Sequence, residues 1–117
     1  MEDNVLEAVA ILKNHRGSPR KARLVLDMVR GKNVNEAKNI LMFSNKRMAA
    51  HIVKLLNSAC ANAVQKKPKI DMKNMIVSKA YADGGQTMKR WRPRAKSSAG
   101  AILKRYCHIT IGISEVQ

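Results

Sequence analysis

The chemistry this sequence offers is cationic, and it is concentrated in one place. Between Gln86 and Arg105 stand Lys89, Arg90, Arg92, Arg94, Lys96, Lys104 and Arg105, seven basic residues in 20 positions with no acidic residue among them. The planar fork of arginine binds phosphate oxygens two at a time and stacks on bases, while lysine supplies a less directional charge. A solvated charge run is the ordinary fate of such a segment, but Trp91, Pro93 and the unbroken sign suit a binding element better than a solubility tail. Over the whole chain, 23 Lys and Arg against 8 Asp and Glu leave a net charge of +15, which calls for a polyanionic partner. Other reactive groups are poorly placed for catalysis. His15, His51 and His108 have no metal-ligand spacing to cysteine or carboxylate, and the carboxylates form no pair suited to acid and base work. No metal, cofactor or enzymatic activity is therefore expected. With only Phe43, Tyr81, Trp91 and Tyr106, the chain also lacks the stacking platforms of single-strand readers, so recognition should run through shape and backbone.

Positioning these cations requires a scaffold, and 117 residues suffice for one domain spanning 1–117. Val5 to Lys13 reads as a strand buried on both faces. Ser18 and Pro19 open a helix as N-cap and first helical residue, in which Ala22, Val25, Leu26 and Val29 share a side with Leu24 and Met28 beside them. Arg20, Arg23 and Arg30 take the opposite arc, either as a second contact face or as the solvated side of the helix. Gly31 stops that helix, and Val34 to Phe43 forms a second one with Ala37, Ile40 and Leu41 inward. Ser44 or Asn45 is expected to cap a third helix from Lys46 to about Gln65, burying Met48, Ile52, Leu55, Leu56, Ala59, Cys60 and Ala63. Lys66-Lys67-Pro68 breaks it. A strand from Met75 to Ala82 should turn Met75, Val77 and Tyr81 to one side, and Cys107, Ile109, Ile111 and Ile113 alternate with polar or small residues in a final strand. Cys60 and Cys107 read as small buried hydrophobes, a disulfide between them being the less favoured alternative.

The basic segment therefore lies between two strands, across 83–105. It has too few apolar residues to pack on the domain and is too long for a structureless loop, so the flanking strands should continue outward as an extended β-hairpin reaching on the order of 40 Å. Such a ribbon is marginal alone in water and should be ordered by its partner. An acidic membrane is a weaker candidate than nucleic acid, because no apolar run of about 18 residues is present to span a bilayer and no signal peptide is evident. An intracellular protein is expected. Among nucleic-acid binders, an architectural DNA-binding protein with basic β-arms is the alternative to an RNA-binding one.

The motifs Met88-Lys89-Arg90, Arg92-Pro93-Arg94-Ala95-Lys96 and Lys104-Arg105-Tyr106-Cys107-His108-Ile109-Thr110-Ile111 give the chain a recognisable pattern. So do Ser18-Pro19-Arg20-Lys21-Ala22-Arg23-Leu24-Val25, Arg30-Gly31-Lys32, Ala37 to Leu41 and Ser58-Ala59-Cys60-Ala61-Asn62-Ala63. Together they make it resemble, over almost its whole length, the ribosomal large-subunit protein L twenty-two family of the bacterial type. The resemblance implies an α+β fold, three helices packed on a small three-stranded antiparallel sheet, with a long extended β-hairpin between the last two strands. It implies a cytoplasmic, ribosome-bound structural protein whose partners are large-subunit (23S) rRNA, neighbouring ribosomal proteins and the nascent peptide, with no stable homo-oligomer. The residues expected to bind rRNA are Arg16, Arg20, Lys21, Lys89, Arg90, Arg92, Arg94, Lys96, Lys104 and Arg105. The hairpin tip Arg94, Ala95, Lys96, Ser97 and Ser98 would line the peptide exit tunnel. Ser97 and Ser98 depart from the Gly and basic residue common there, which makes the wall locally less positive.

Overall fold

A computed structural model describes residues 7–69, 71–93 and 99–115. The chain runs through strand β1 (Glu7–Arg16), helices α1 (Pro19–Val29), α2 (Val34–Met42) and α3 (Arg47–Lys66), and a 3-10 turn at Met72–Asn74. It ends in the long strands β2 (Met75–Pro93) and β3 (Ala99–Glu115). The three strands form one antiparallel sheet in the order β1-β3-β2, so the last strand is the central one. This is the α+β arrangement expected. Val5 and Leu6, assigned to the first strand, lie outside the described residues, as do Arg94, Ala95, Lys96, Ser97 and Ser98.

The helices lie on one face of the sheet, α3 against β1 and α1 against β2. Their apolar spacing produces this: Ala22, Val25, Leu26 and Val29 in α1, and Ile52, Leu56, Ala59 and Ala63 in α3, bury against Ile109, Ile111 and Ile113 of β3. Each fully buried Ile or Leu contributes roughly 1.5–3 kcal/mol. Leu24, expected beside the core stripe, is instead 53% exposed, because at 100° per residue it lies on the side of α1 away from the buried Ala22, Val25, Leu26 and Val29.

Gly31 takes a left-handed conformation (φ 81°) just beyond α1, where a Cβ would meet no atom but would strain the backbone. The turn it makes lays the chain along β2, with the Gly31 amide donating to the Val77 carbonyl (2.8 Å) and the Val77 amide donating to that of Lys32 (2.9 Å). Asn33 then caps α2 by accepting from the Asn35 amide at 2.9 Å. The start of α3 corrects the expectation from sequence. Lys46, not Ser44 or Asn45, occupies the N-cap position, and the Ser44 hydroxyl accepts from the Lys46 amide one step earlier, a local turn that competes with capping.

Two further corrections concern which way strand residues face. β1 was expected to be buried on both faces, yet only Ala8 and Ala10 are buried while Val9 and Ile11 are 38% and 54% exposed. As an edge strand covered by α3 on one side alone, it alternates. In β2 the pairing jumps from Val77↔Ile113 to Lys79↔Gly112, so Ser78 is an extra residue and the side-chain phase inverts beyond it. Ala80 and Ala82 consequently point into the core, and Tyr81, expected inward with Met75 and Val77, is 45% exposed.

A second irregularity, between Gly84 and Thr87, falls where the β2–β3 ribbon leaves the helix-covered part of the sheet. A Cβ on Gly85 would come within 3.1 Å of the Tyr106 carbonyl oxygen and 3.2 Å of His108 Nε2, so a side chain here would push the two strands apart by a few tenths of an ångström. β1 bends at the same level. Asn14 has φ 57°, and its amide donates to His108 Nδ1 at 3.0 Å, which leaves any ring proton of His108 on Nε2. Beyond this root the two strands pair continuously from Thr87↔Arg105 to Pro93↔Ala99, and the molecule measures 66 × 27 × 20 Å.

Candidate nucleic-acid interface

Along the ribbon the register decides how the cations are displayed. Lys89 is paired with Leu103 and Trp91 with Ala101, on one face; Met88 is paired with Lys104 and Arg90 with Ile102, on the other. Positive charge therefore emerges on both faces, with Lys89, Arg90 and Arg105 exposed and Lys104 half-buried. Arg92 occupies the position opposite Gly100. Trp91 is 71% exposed, an amphipathic ring held out on a narrow ribbon. The expected rRNA contacts Arg94 and Lys96 lie outside the described residues.

At the root, three of the cations singled out from sequence are brought together and one that was not joins them. Arg16 at the end of β1, Lys21 in the first turn of α1 and Arg105 of β3 line a groove of about 680 Å³ with Arg47, the first residue of α3. Gly17 and Ser18 form part of its wall, and Met48 and Leu103 supply its apolar portion. The Arg16 guanidinium carbon sits 5.9 Å from the centroid of the Tyr106 ring, a cation–π approach that holds the side chain near the ribbon. Arg20 is exposed on α1 and does not line this groove.

Arg47 was legible by a different signal. Helix N-termini carry partial positive charge and favour acidic residues, with each mismatched charge worth about 0.3–1 kcal/mol. Here α1 begins Pro19-Arg20-Lys21 and α3 begins Arg47-Met48, neither with an acidic residue in its first turn nor with a side-chain capping bond. Two helices starting against the preference of their own dipoles is a sequence-visible sign of an external anion.

Arg23 and Arg30 are exposed, as the solvated arc of α1 implies, and are also engaged by the chain itself. Arg23 Nε donates to the Ala82 carbonyl at 3.0 Å, and Arg30 donates to that of Ala80 through Nε at 3.1 Å and again through its second terminal nitrogen. Together with the Gly31–Lys32 turn, they occupy the outer edge of β2, whose carbonyls would otherwise offer a template for another strand. The exposed Asp27–Arg30 ion pair at 2.6 Å adds little by itself. Arg30→Met is expected to lower stability by about 1–3 kcal/mol, because a partly buried carbonyl loses its donors. Arg20→Met should stay within about 0.5 kcal/mol. Urea midpoints of the two variants check this, and equal effects would show that the edge contacts carry no weight.

The histidines have structural surroundings. His15 and His51 approach with ring centroids 4.4 Å apart and tilted by 57°, beside Leu12 and Leu55. Burial, and secondarily repulsion from His51, push the His15 pKa down, which favours its neutral form. Cys60 and Cys107 are free and buried, and burial raises both thiol pKa values, against a small opposing effect of Lys38 on Cys60. The disulfide alternative does not hold. Among the described residues no group of three or more His, Cys, Asp or Glu is placed to hold a metal ion, and no helix is long and apolar enough to cross a membrane.

Comparison with known proteins agrees with this arrangement. The family model described as Ribosomal protein L22p/L17e matches residues 10–114. The chain is 49% identical over 113 residues to the large ribosomal subunit protein uL22 of Leptospira biflexa serovar Patoc (strain Patoc 1 / ATCC 23582 / Paris), covering 97% of each chain. It is 49% identical over 112 residues to the uL22 of the Ames isolate of that strain, covering 96% of this chain and 97% of the relative. A match of this extent, carrying the three-helix, three-strand order and the long basic ribbon together, places the chain in the ribosomal protein L22p/L17e family, one of ribosomal proteins and not of enzymes.

Proposed function

We propose that the chain is a structural constituent of the large ribosomal subunit that binds and organises 23S rRNA during assembly, with the ribbon as its principal anchor. One observation carries the reading: the ribbon presents cations on both faces, Lys89 on one and Arg90 and Lys104 on the other. A protein resting on the outside of a nucleic acid needs charge on one side only, whereas a narrow element surrounded by phosphates needs it all round. The exposed Trp91 fits the same setting, since its ring can stack against a base or sugar.

The residues assigned to rRNA are Arg16, Arg20, Lys21, Lys89, Arg90, Arg92, Arg94, Lys96, Lys104 and Arg105. By the family resemblance, the connecting segment Arg94, Ala95, Lys96, Ser97 and Ser98 lines the exit tunnel and faces the nascent peptide, and residues 83–105 act as one inserted arm of a single domain. Neighbouring large-subunit proteins complete the surroundings, and the site of action is the cytoplasmic ribosome. Binding of the purified protein to 23S rRNA at several salt concentrations tests the reading. If about five of the cations seat on phosphates, the log–log salt slope is expected on the order of −4. Duplex DNA should compete poorly; a preference for DNA at fixed salt would favour an architectural DNA-binding role instead.

A further inference from the structure

We propose that the groove at the root of the ribbon is a preformed seat for one backbone phosphate of RNA, held by Arg16, Lys21, Arg47 and Arg105. This deepens the rRNA-binding reading and rests on it. The four cations come from four different elements, β1, α1, α3 and β3, so only the fold brings them to one concavity. No acidic residue lines it. Among the described residues, the side chains of Lys21, Arg47 and Arg105 donate to no protein acceptor, and Arg16 reaches only the Arg105 carbonyl, at 3.5 Å. Four like charges converging without a counter-charge repel one another in the free protein, and an anion seated among them reverses that term.

The backbone points the same way. The first helical hydrogen bonds are Ala22 to the Ser18 carbonyl in α1 and Ala49 to the Lys46 carbonyl in α3, which leaves the amides of Lys21, Arg47 and Met48 at helix starts that line the groove. Both starts lack a side-chain cap bond, so the donors that such a cap would ordinarily satisfy are left for an anion at helix starts whose residues line the groove. Gly17 fixes the wall through its backbone: its amide ties β1 to β3 by donating to the Arg105 carbonyl at 2.9 Å. A volume of about 680 Å³ exceeds that of an isolated phosphate and leaves room for the sugars on either side of a phosphodiester. With three arginines and a lysine among its lining residues and no aromatic side chain, the groove suits phosphate oxygens and not base edges.

The test uses the full chain in two arms. In the first, inorganic phosphate is titrated against chloride at constant ionic strength while thermal unfolding is followed; the midpoint should rise for the wild type and stay flat for Arg47→Gln. In the second, 23S rRNA binding is measured against salt. Arg47→Gln should flatten the log–log slope by about 1, Arg47→Lys should retain the slope with weaker binding, and Lys54→Gln, which removes an exposed cation of α3 outside the groove, should change the slope less than Arg47→Gln. A wild type indifferent to phosphate, or an Arg47→Gln slope equal to that of Lys54→Gln, overturns the seat while leaving rRNA binding through the ribbon standing. Failure of the wild type to bind rRNA at all overturns both.

Discussion

Replacing Ile111 by Ala is expected to cost the fold about 2–5 kcal/mol, toward the upper end of what a single buried truncation removes. Ile111 sits in the middle of the central strand, 1% exposed, paired with Ala10 of β1 on one side and Ala80 of β2 on the other. Both flanking side chains are single methyl groups, so neither strand can lean into the space vacated, and the helices above are anchored by their own buried stripes. The cavity therefore stays. Against a total stability of roughly 5–15 kcal/mol for a domain of this class, such a loss leaves a substantial unfolded population. Ile11→Ala provides the control, since Ile11 lies on the uncovered face of the same sheet and is 54% exposed; it should cost less than about 1 kcal/mol. Urea unfolding with unchanged m-values measures both. A difference under about 1 kcal/mol between the two would contradict the assignment of the core to the helix-covered face.

The second large effect is expected on binding. Changing Arg90, Arg92 and Arg94 together to Gln should weaken 23S rRNA binding on the order of 100-fold at physiological salt and flatten the salt slope by about 2–3, because each cation lost is one fewer counterion released. Subunit assembly should suffer accordingly. The unfolding free energy should change by less than about 0.5 kcal/mol, since Arg90 is exposed on a ribbon remote from the buried cluster. Its only bond within the described residues is local, to the carbonyl of Lys89 at 2.9 Å. Parallel circular dichroism and assembly assays separate the two consequences, and equal losses in both would mean that the ribbon is part of the folding core. The phosphate seat at the root gives the same protein a second, smaller grip that this triple change leaves intact, so residual binding in the variant should still respond to Arg47.

The division of labour between ribbon and root also explains the distribution of small residues. Gly84 and Gly85 mark the point at which the sheet stops being a surface for helices and becomes an isolated ribbon, and at Gly85 the close passage of Tyr106 and His108 leaves a Cβ only a tight fit. The bend of β1 at Asn14 occurs at the same level. The domain thus ends its packed region in one plane across all three strands, and the cationic groove opens beside it.

Sequence by itself determined the elements with strong local signals. The three helices announced themselves by apolar residues at three- and four-residue spacing, β3 by its isoleucines alternating every second position, and the ribbon by charge of one sign in a stretch too polar to pack. These are properties of short segments, and a segment's periodicity survives whatever it packs against. Tertiary structure decided what periodicity cannot carry across an interruption. One extra residue at Ser78 inverts the facing of everything after it, so Tyr81 went outward and Ala80 inward although their spacing from Val77 predicts the reverse. The arginines of α1 have the same sequence signature whether they meet solvent, RNA or the carbonyls of β2; only the docking of the helix on that edge showed that Arg23 and Arg30 are engaged at home. Arg47 lies 31 positions from Arg16 and 58 from Arg105, and no local pattern links them. Their meeting is a property of the fold, because the distance that governs electrostatics is measured through space and not along the chain.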